Sequence, residues 1–268
     1  MKKNIKILLT STALFSLATA TFVYATNSSI SQDKVSATSK AVSSASISKS
    51  TEIFSELNSS SEKINSQVTH DDMQNKDFYS IENSKYLINL DTDNNLAGIY
   101  SKTISSTSEV STADKTTAQN YIVNKYKELN LPSTYELNYL EKFDDLIWQA
   151  NFEKNYNGIY NKYESVKVFF IPDSDEIVSL TVFNESATSS TVNTSKEDAE
   201  STAVQNLGIN SSDIVSANLS MEKANKFYDN NNADTSVHPT WVIQSSDNSL
   251  IYVDAESNKV IGGDSINE

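Results

Sequence analysis

Two carboxylates, Asp254 and Glu256, stand between the apolar runs of LIYVDAESNKVIGG, residues 250–263. Such a pair could hold a metal or move a proton, or it could only mark the turn of a hairpin. Acids gather at other turns too. DTDNNLAG begins like a calcium loop with Asp91, Asp93 and Asn95, but Leu96 stands where that loop needs glycine and Lys102 where it needs a bidentate glutamate. Asp173 and Asp175, and the stretch Asp229 to Asp234, read as solvated turns. The only histidines are His70 and His238, and neither has a partner one helical turn away with the glutamate that a zinc peptidase requires. His238, just before Pro239, reads as a loop residue. There is no G-x-S-x-G elbow, and glycines 98, 158, 208, 262 and 263 form no phosphate loop. A hydrolase would have to bring His238, a serine and an aspartate together in space. LPSTY at 131–135 lies mid-chain without a following apolar tail and is no sorting signal. The sequence assigns no catalytic residue, no cofactor and no metal.

The elements that would position these residues begin with an export signal. Lys2, Lys3 and Lys6 precede an apolar stretch, and Val23-Tyr24-Ala25 offers a cleavage site, so residues 1–25 read as a secretory signal peptide. The chain has no cysteine, which removes disulfides and thiol chemistry together. Every basic residue is lysine, and the net charge is −14, which disfavours nucleic acid and anionic membrane surfaces. Serine dominates residues 26–78, with isolated apolar positions, and the expectation there is a flexible spacer. A transient helix over 51–64, with Ile53, Phe54 and Leu57 on one side, is the only element expected inside it.

Beyond the spacer, 85–100 reads as a hairpin. STADKTTAQNYIVNKYKELNLP reads as a helix capped by Ser111 or Thr112, with Ala118, Ile122, Tyr126 and Leu129 on one stripe and Pro132 beyond its end. LIWQANF alternates as a strand with Leu146, Trp148, Ala150 and Phe152 on one face, Asn157-Gly158 marks a turn, and VKVFFIPDSDEIVSLTVF is a second hairpin. After a linker at 184–193, Thr194 and Glu197 have the spacing of a capping box, Ala199, Ala203 and Leu207 share a face, and Gly208 can close the helix. Strands follow at 214–219 and around Trp241, and the opening stretch closes the chain.

The hairpins match without a gap: Val168 to Ser179 lies over Ile251 to Gly262, each preceded by a tryptophan strand and a helix. Only Glu256 meets another acid, Asp173, so the acids of the opening stretch belong to a turn. Residues 85–100 look like a third copy of the hairpin alone. SKEDAESTAVQNLG, PTWVIQ and IYVDAESNKVIGG resemble the PepSY family, the repeated PepSY-like, peptidase-propeptide-like modules of secreted Gram-positive bacterial proteins. Asn258 stands where that family usually has glycine. The resemblance covers roughly residues 80–265. It implies an α+β fold of two repeats, 79–184 and 194–265, each a helix packed on an antiparallel sheet and without catalytic residues. It also implies a non-enzymatic, secreted binding module whose partner is an extracellular protein or envelope component, a peptidase that it inhibits or chaperones being the family's pattern. The alternative is a surface-adhesion or wall-binding protein. Trp148, Phe152, Tyr156, Tyr160 and Tyr163 are the expected aromatic surface for either partner, against the plainer reading that they cover the sheet. Val168 to Ile171 and Leu250 to Val253 are apolar on both faces, so either the repeats cover each other or one sheet face awaits a partner.

Overall fold

The computed structural model describes residues 42–60, 63–71, 76–104, 110–207, 209–225 and 235–264. The expected signal peptide, residues 26–41 of the expected spacer, Gly208 and the acidic stretch 229–234 lie outside them. Residues 42–78 correct the expectation of a flexible spacer. They hold a helix, α1 (Ser44–Glu56), a strand, β1 (Asn65–Asp71), and the start of β2 (Lys76–Glu82). Ile53, Phe54 and Leu57 are buried, while Ser46 and Ser50, one turn apart, are fully buried beside them. Ser43 caps the helix, its hydroxyl accepting from the Ser46 N–H at 3.1 Å, and the Ser46 hydroxyl donates to Asn94 Oδ1 at 2.5 Å. Serine here is a small core residue that lets the helix approach closely, and composition could not distinguish that use from a solvated tether.

The expected hairpin is formed by β3 (Tyr86–Leu90) and β4 (Leu96–Ser101), followed by α2 (Lys115–Glu128). Ala118, Ile122, Tyr126 and Leu129 are all buried. The cap differs from expectation: Asp114 accepts from the Thr117 N–H at 2.7 Å. Ser111 and Thr112 instead donate to Asp173, Thr112 through its N–H at 3.1 Å and its hydroxyl at 2.5 Å. Those bonds hold the Asp173 carboxyl below its ordinary pKa. Next come β5 (Tyr135–Lys142), β6 (Trp148–Tyr156), β7 (Ile159–Ile171) and β8 (Glu176–Asn184). Asn157 and Gly158, with φ of 55° and 92°, turn β6 into β7 in the conformation a tight hairpin requires. Leu146 lies half-buried just before β6 rather than on it.

The last part contains α3 (Lys196–Leu207), β9 (Ile214–Lys223), β10 (Val237–Ser245), β11 (Leu250–Asp254) and β12 (Val260–Asp264). Its cap is Ser195, whose hydroxyl accepts from the Asp198 N–H at 3.1 Å, one residue later than the expected Thr194. The Thr194 carbonyl is engaged by the indole N–H of Trp241 at 2.9 Å. Ala199 and Ala203 face the core as expected.

The fold is thus α+β, with three helices and two antiparallel sheets among the described residues. The order of a helix followed by four strands occurs three times, where the sequence reading counted two units and a lone hairpin. The first two blocks share an eight-stranded sheet, β1-β2-β3-β4-β8-β7-β6-β5, and the third forms a four-stranded sheet, β12-β11-β10-β9. Pairing shifts at Phe169/Phe170 in the second closing hairpin and at Tyr252/Val253 in the third, positions that coincide in the gap-free match. Asp175 and Asn258, also matched, both turn the chain through left-handed backbone with φ of 50° and 54°. The β3–β4 hairpin repeats the shift at Asn89/Leu90 and uses Asn94 at φ 66°. A bulge and an Asx-type turn residue therefore define the closing hairpin, and neither needs a shared acid.

Candidate functional site

Strand register sorts the eight-stranded sheet into two unlike faces. One row runs Leu140, Ala150, Val168, Leu180, Ile99, Ile88 and Ile81, each opposite the next across neighbouring strands. All of these are buried in the core that α1 and α2 cover. Because side chains alternate along a strand, the adjacent rows must lie on the other face. From the β5 edge one of them runs Tyr139, Asn151, Lys167, Thr181, Gly98, Asn89, Ser80 and Gln67. It holds no carboxylate, in a chain with 35. The neighbouring row carries Gln149, Phe169, Ser179, Tyr100 and Leu87, with glutamates only toward its ends, Glu141 and Glu82.

No described helix packs on this face. Tyr139 remains exposed, and Asn151, Lys167, Thr181, Asn89, Phe169, Gln149, Tyr100 and Leu87 are half-buried. The Tyr100 ring crosses Gly98, where an added Cβ would lie 2.8 Å from its hydroxyl. Phe143 and Phe169 meet edge to face, their centroids 5.1 Å apart, and the Lys167 ammonium stands 5.2 Å from the Phe169 centroid. Burial lowers the Lys167 pKa. Side-chain amides and hydroxyls link up along the rows: Ser80 donates to Asn89 at 2.9 Å and Gln149 to Asn151 at 3.1 Å. A shallow depression of about 90 Å³ lies toward the β1 edge among Asn65, Ser66, Gln67, Ser80, Glu82 and Leu87. Chemically this is a platform of amides, hydroxyls and aromatic rings around Lys167, with glutamates at its margins, suited to docking.

The aromatic residues singled out in the sequence do not form one surface. Trp148 and Phe152 share parity with Ala150 and lie in the core beneath the helices, Phe152 stacked on Tyr126 at 3.9 Å between centroids. Tyr156 donates to Glu164, Tyr160 to Glu136 at 3.0 Å and Tyr163 to Glu222 at 3.2 Å. Tyr156 and Tyr163 pack where the two sheets meet, beside the buried ion pair of Lys162 and Glu222 at 2.6 Å. The residues on the open face, Tyr100, Asn151, Lys167 and Phe169, escaped the sequence reading. Their signal was parity: in VKVFF, Lys167 and Phe169 flank Val168 and so point away from whatever covers it.

His238 lies in β10 rather than in a loop. Ser236 Oγ is 2.7 Å from its Nε2, and Asp254 Oδ2 is 3.9 Å from its Nδ1. The order resembles a serine-hydrolase triad, but 3.9 Å is no hydrogen bond, and Thr188 Oγ1 lies closer to Nδ1 at 3.4 Å. Asp254 Oδ1 is spent on the turn, accepting from the Glu256 and Ser257 N–H groups at 3.1 and 2.6 Å. Asp91 does the same in its hairpin, accepting from Asp93 and Asn95 at 2.9 and 2.7 Å. A larger surface depression of about 370 Å³, between α1, α2 and the β7–β8 turn, surrounds Lys125. That lysine already binds Glu128 at 2.9 Å, Asp175 at 3.2 Å and the Glu56 carbonyl at 3.0 Å, which ties the first block to the second. Among the described residues no group of three or more His, Cys, Asp or Glu could hold a metal ion, and no helix is long and apolar enough to cross a membrane.

No family model matches the chain, and no curated protein matches it. Among solved structures it is similar to the Bacillus megaterium YpeB C-terminal domain, with a TM-score of 0.51 over 85% of this chain and 99% of that one. Identity is 11%, so the likeness is one of fold alone.

Proposed function

We propose that this chain is an exported, non-enzymatic binding module that presents the uncovered face of its eight-stranded sheet to an extracellular partner. The observation that carries the reading is the row from Tyr139 to Gln67, free of carboxylates in a protein of net charge −14. A row that only met water would need no such exclusion of carboxylates, and Lys167, set against the Phe169 ring, is the one charge it presents to a partner. The PepSY resemblance, carried by the helix, tryptophan-strand and closing-hairpin motifs, makes a polypeptide the first partner class and an extracellular peptidase its favoured member. The fold likeness to the YpeB domain supports the architecture of this reading and not its partner.

One observation favours the alternative, a wall-binding protein. Tyr100 lying over Gly98, with Asn89 and Thr181 opposite Gly98 on the neighbouring strands, offers a ring and neutral hydrogen-bonding groups of the kind that hold a sugar polymer. The test uses the native protein and a face variant, Tyr100→Ala with Thr181→Glu, as inhibitors of secreted peptidases and as ligands for isolated cell walls. The peptidase reading expects inhibition that the face variant loses; the wall reading expects sedimentation with walls that the variant loses. If the native protein does neither, or the variant matches it throughout, this face is not the docking site.

A further inference from the structure

The last strands of the first two blocks pair with each other: Gly98 lies opposite Thr181, Ile99 opposite Leu180 and Tyr100 opposite Ser179. Ile99 and Leu180 hold the same place in their hairpins. Each lies three residues beyond the strand residue that pairs across the bulge, Leu96 in one and Ile177 in the other. Equal edge therefore meets equal edge about an approximate two-fold axis, the arrangement of an isologous interface inside one chain.

The same count from Val260 in the third block arrives at Gly263. Here β12 is the terminal strand, and its outer side carries no strand among the described residues. Asn225 takes that place. Its backbone N–H donates to the Ile261 carbonyl at 3.0 Å, and its Nδ2 donates to the Gly263 carbonyl at 2.7 Å. The Gly263 N–H in turn donates to Asn225 Oδ1 at 3.0 Å. The side-chain carboxamide thus makes with Gly263 the reciprocal pair of bonds that a strand residue would make. Gly262 is shaped to it, since a Cβ there would sit 2.5 Å from Asn225 Oδ1.

We propose that β12 is a latched dimerisation edge, fitted to β12 of a second copy of this chain and held shut by Asn225. The two copies would pair antiparallel with Gly263 facing Gly263, making across two chains the continuous sheet that β4 and β8 make within one. A second copy is the occupant because the β4–β8 pairing shows this hairpin edge accepting its own equivalent in this register. The inference rests on the fold and not on the binding-module reading.

Sedimentation velocity of the full chain over a concentration series tests it. Asn225→Ala removes the carboxamide from Gly263 and leaves only the backbone bond to Ile261, and Gly262→Ala crowds both the carboxamide and the Asn225 backbone nitrogen, so each variant loosens the latch by its own route. Both are expected to dimerise at concentrations lower than the native protein by on the order of ten-fold, the weight of a hydrogen-bonded amide pair. Hydrogen exchange should slow at Ile261 to Asp264 in the dimer. Asn225→Asp, which keeps the shape and loses the Nδ2 donor, should fall between and carries the test if Asn225→Ala folds poorly. Adding Gly263→Pro should restore the monomer, because the N–H it removes points away from β11. Folded variants that stay monomeric with the native protein, or that dimerise without slower exchange in β12, would overturn the proposal.

Discussion

The eight-stranded and four-stranded sheets are built from the same block, yet they solve the burial of a sheet differently. In the larger sheet two blocks join at β4 and β8, both helices lie on one side, and no described helix covers the other. In the smaller sheet α3 covers one side, and the junction with the first sheet covers part of the other. Ile251 and Val253 face α3, while Tyr252, on the opposite side of β11, is 5% exposed and lies near Tyr163 of the first sheet. The apolar strands Val168 to Ile171 and Leu250 to Val253 therefore looked alike in sequence and meet different fates. Edge pairing extends a face that no described helix covers, whereas the junction of the sheets buries part of one.

Matched substitutions put numbers on that difference. Phe170 and Val253 occupy equivalent positions, both fully buried. Phe170→Ala is expected to cost about 4 kcal/mol and Val253→Ala about 2 kcal/mol in chemical denaturation, following the volume removed. Equal losses would mean that the smaller core tolerates cavities less well. Next in size is Glu222 at the junction of the sheets. Glu222→Gln removes the buried partner of Lys162 and should cost about 3 kcal/mol, whereas the same change at an exposed pair would be nearly silent.

The two tryptophans differ by one hydrogen bond. Trp241 donates to the Thr194 carbonyl, and the indole nitrogen of Trp148 is buried without a hydrogen-bond partner. Trp241→Phe should therefore cost about 1 kcal/mol more than Trp148→Phe. Thermal melts of the two variants side by side would show it. The last prediction has the opposite sign. Burial holds the Glu153 carboxyl above its ordinary pKa, against the Asn138 amide that donates to it at 3.0 Å. Its protonated form is favoured by folding, so that contribution is complete below the unfolded pKa and is lost as pH rises through the folded value. Glu153→Gln should stabilise the protein by about 1 kcal/mol at neutral pH, with no gain once both states are protonated. Denaturation midpoints at a series of pH values would test the sign.

Much of the block was legible locally. The stripe Ala118, Ile122, Tyr126 and Leu129, the Asn157-Gly158 turn and the gap-free match of the hairpins all report short-range geometry, and all are found. Cap positions slipped by one to three residues, because Ser111 and Thr112 serve Asp173 and the Thr194 carbonyl serves Trp241, partners that lie far along the chain. The largest miss was α1 with β1 and β2. Buried serines, Ser46 bonded to Asn94 and Ser50 packed without a partner for its hydroxyl among the described residues, resemble a solvated tether when only composition is read. The aromatic surface was misplaced for a similar reason: Trp148 and Phe152 were grouped by type, while strand parity puts them under the helices.

By itself the sequence determined the chemistry that is plausible here and the local shape: no thiol, few histidines, acids at turns, helices and hairpins in a repeated order. Those follow from residue type, period and turn preference, which act over a few positions. Only the tertiary structure decided which equal edges meet, which face no described helix covers and what lies against the β12 edge. Those outcomes depend on groups far apart in the chain, such as Ile99 with Leu180 or Asn225 with Gly263, and no local preference encodes such a meeting.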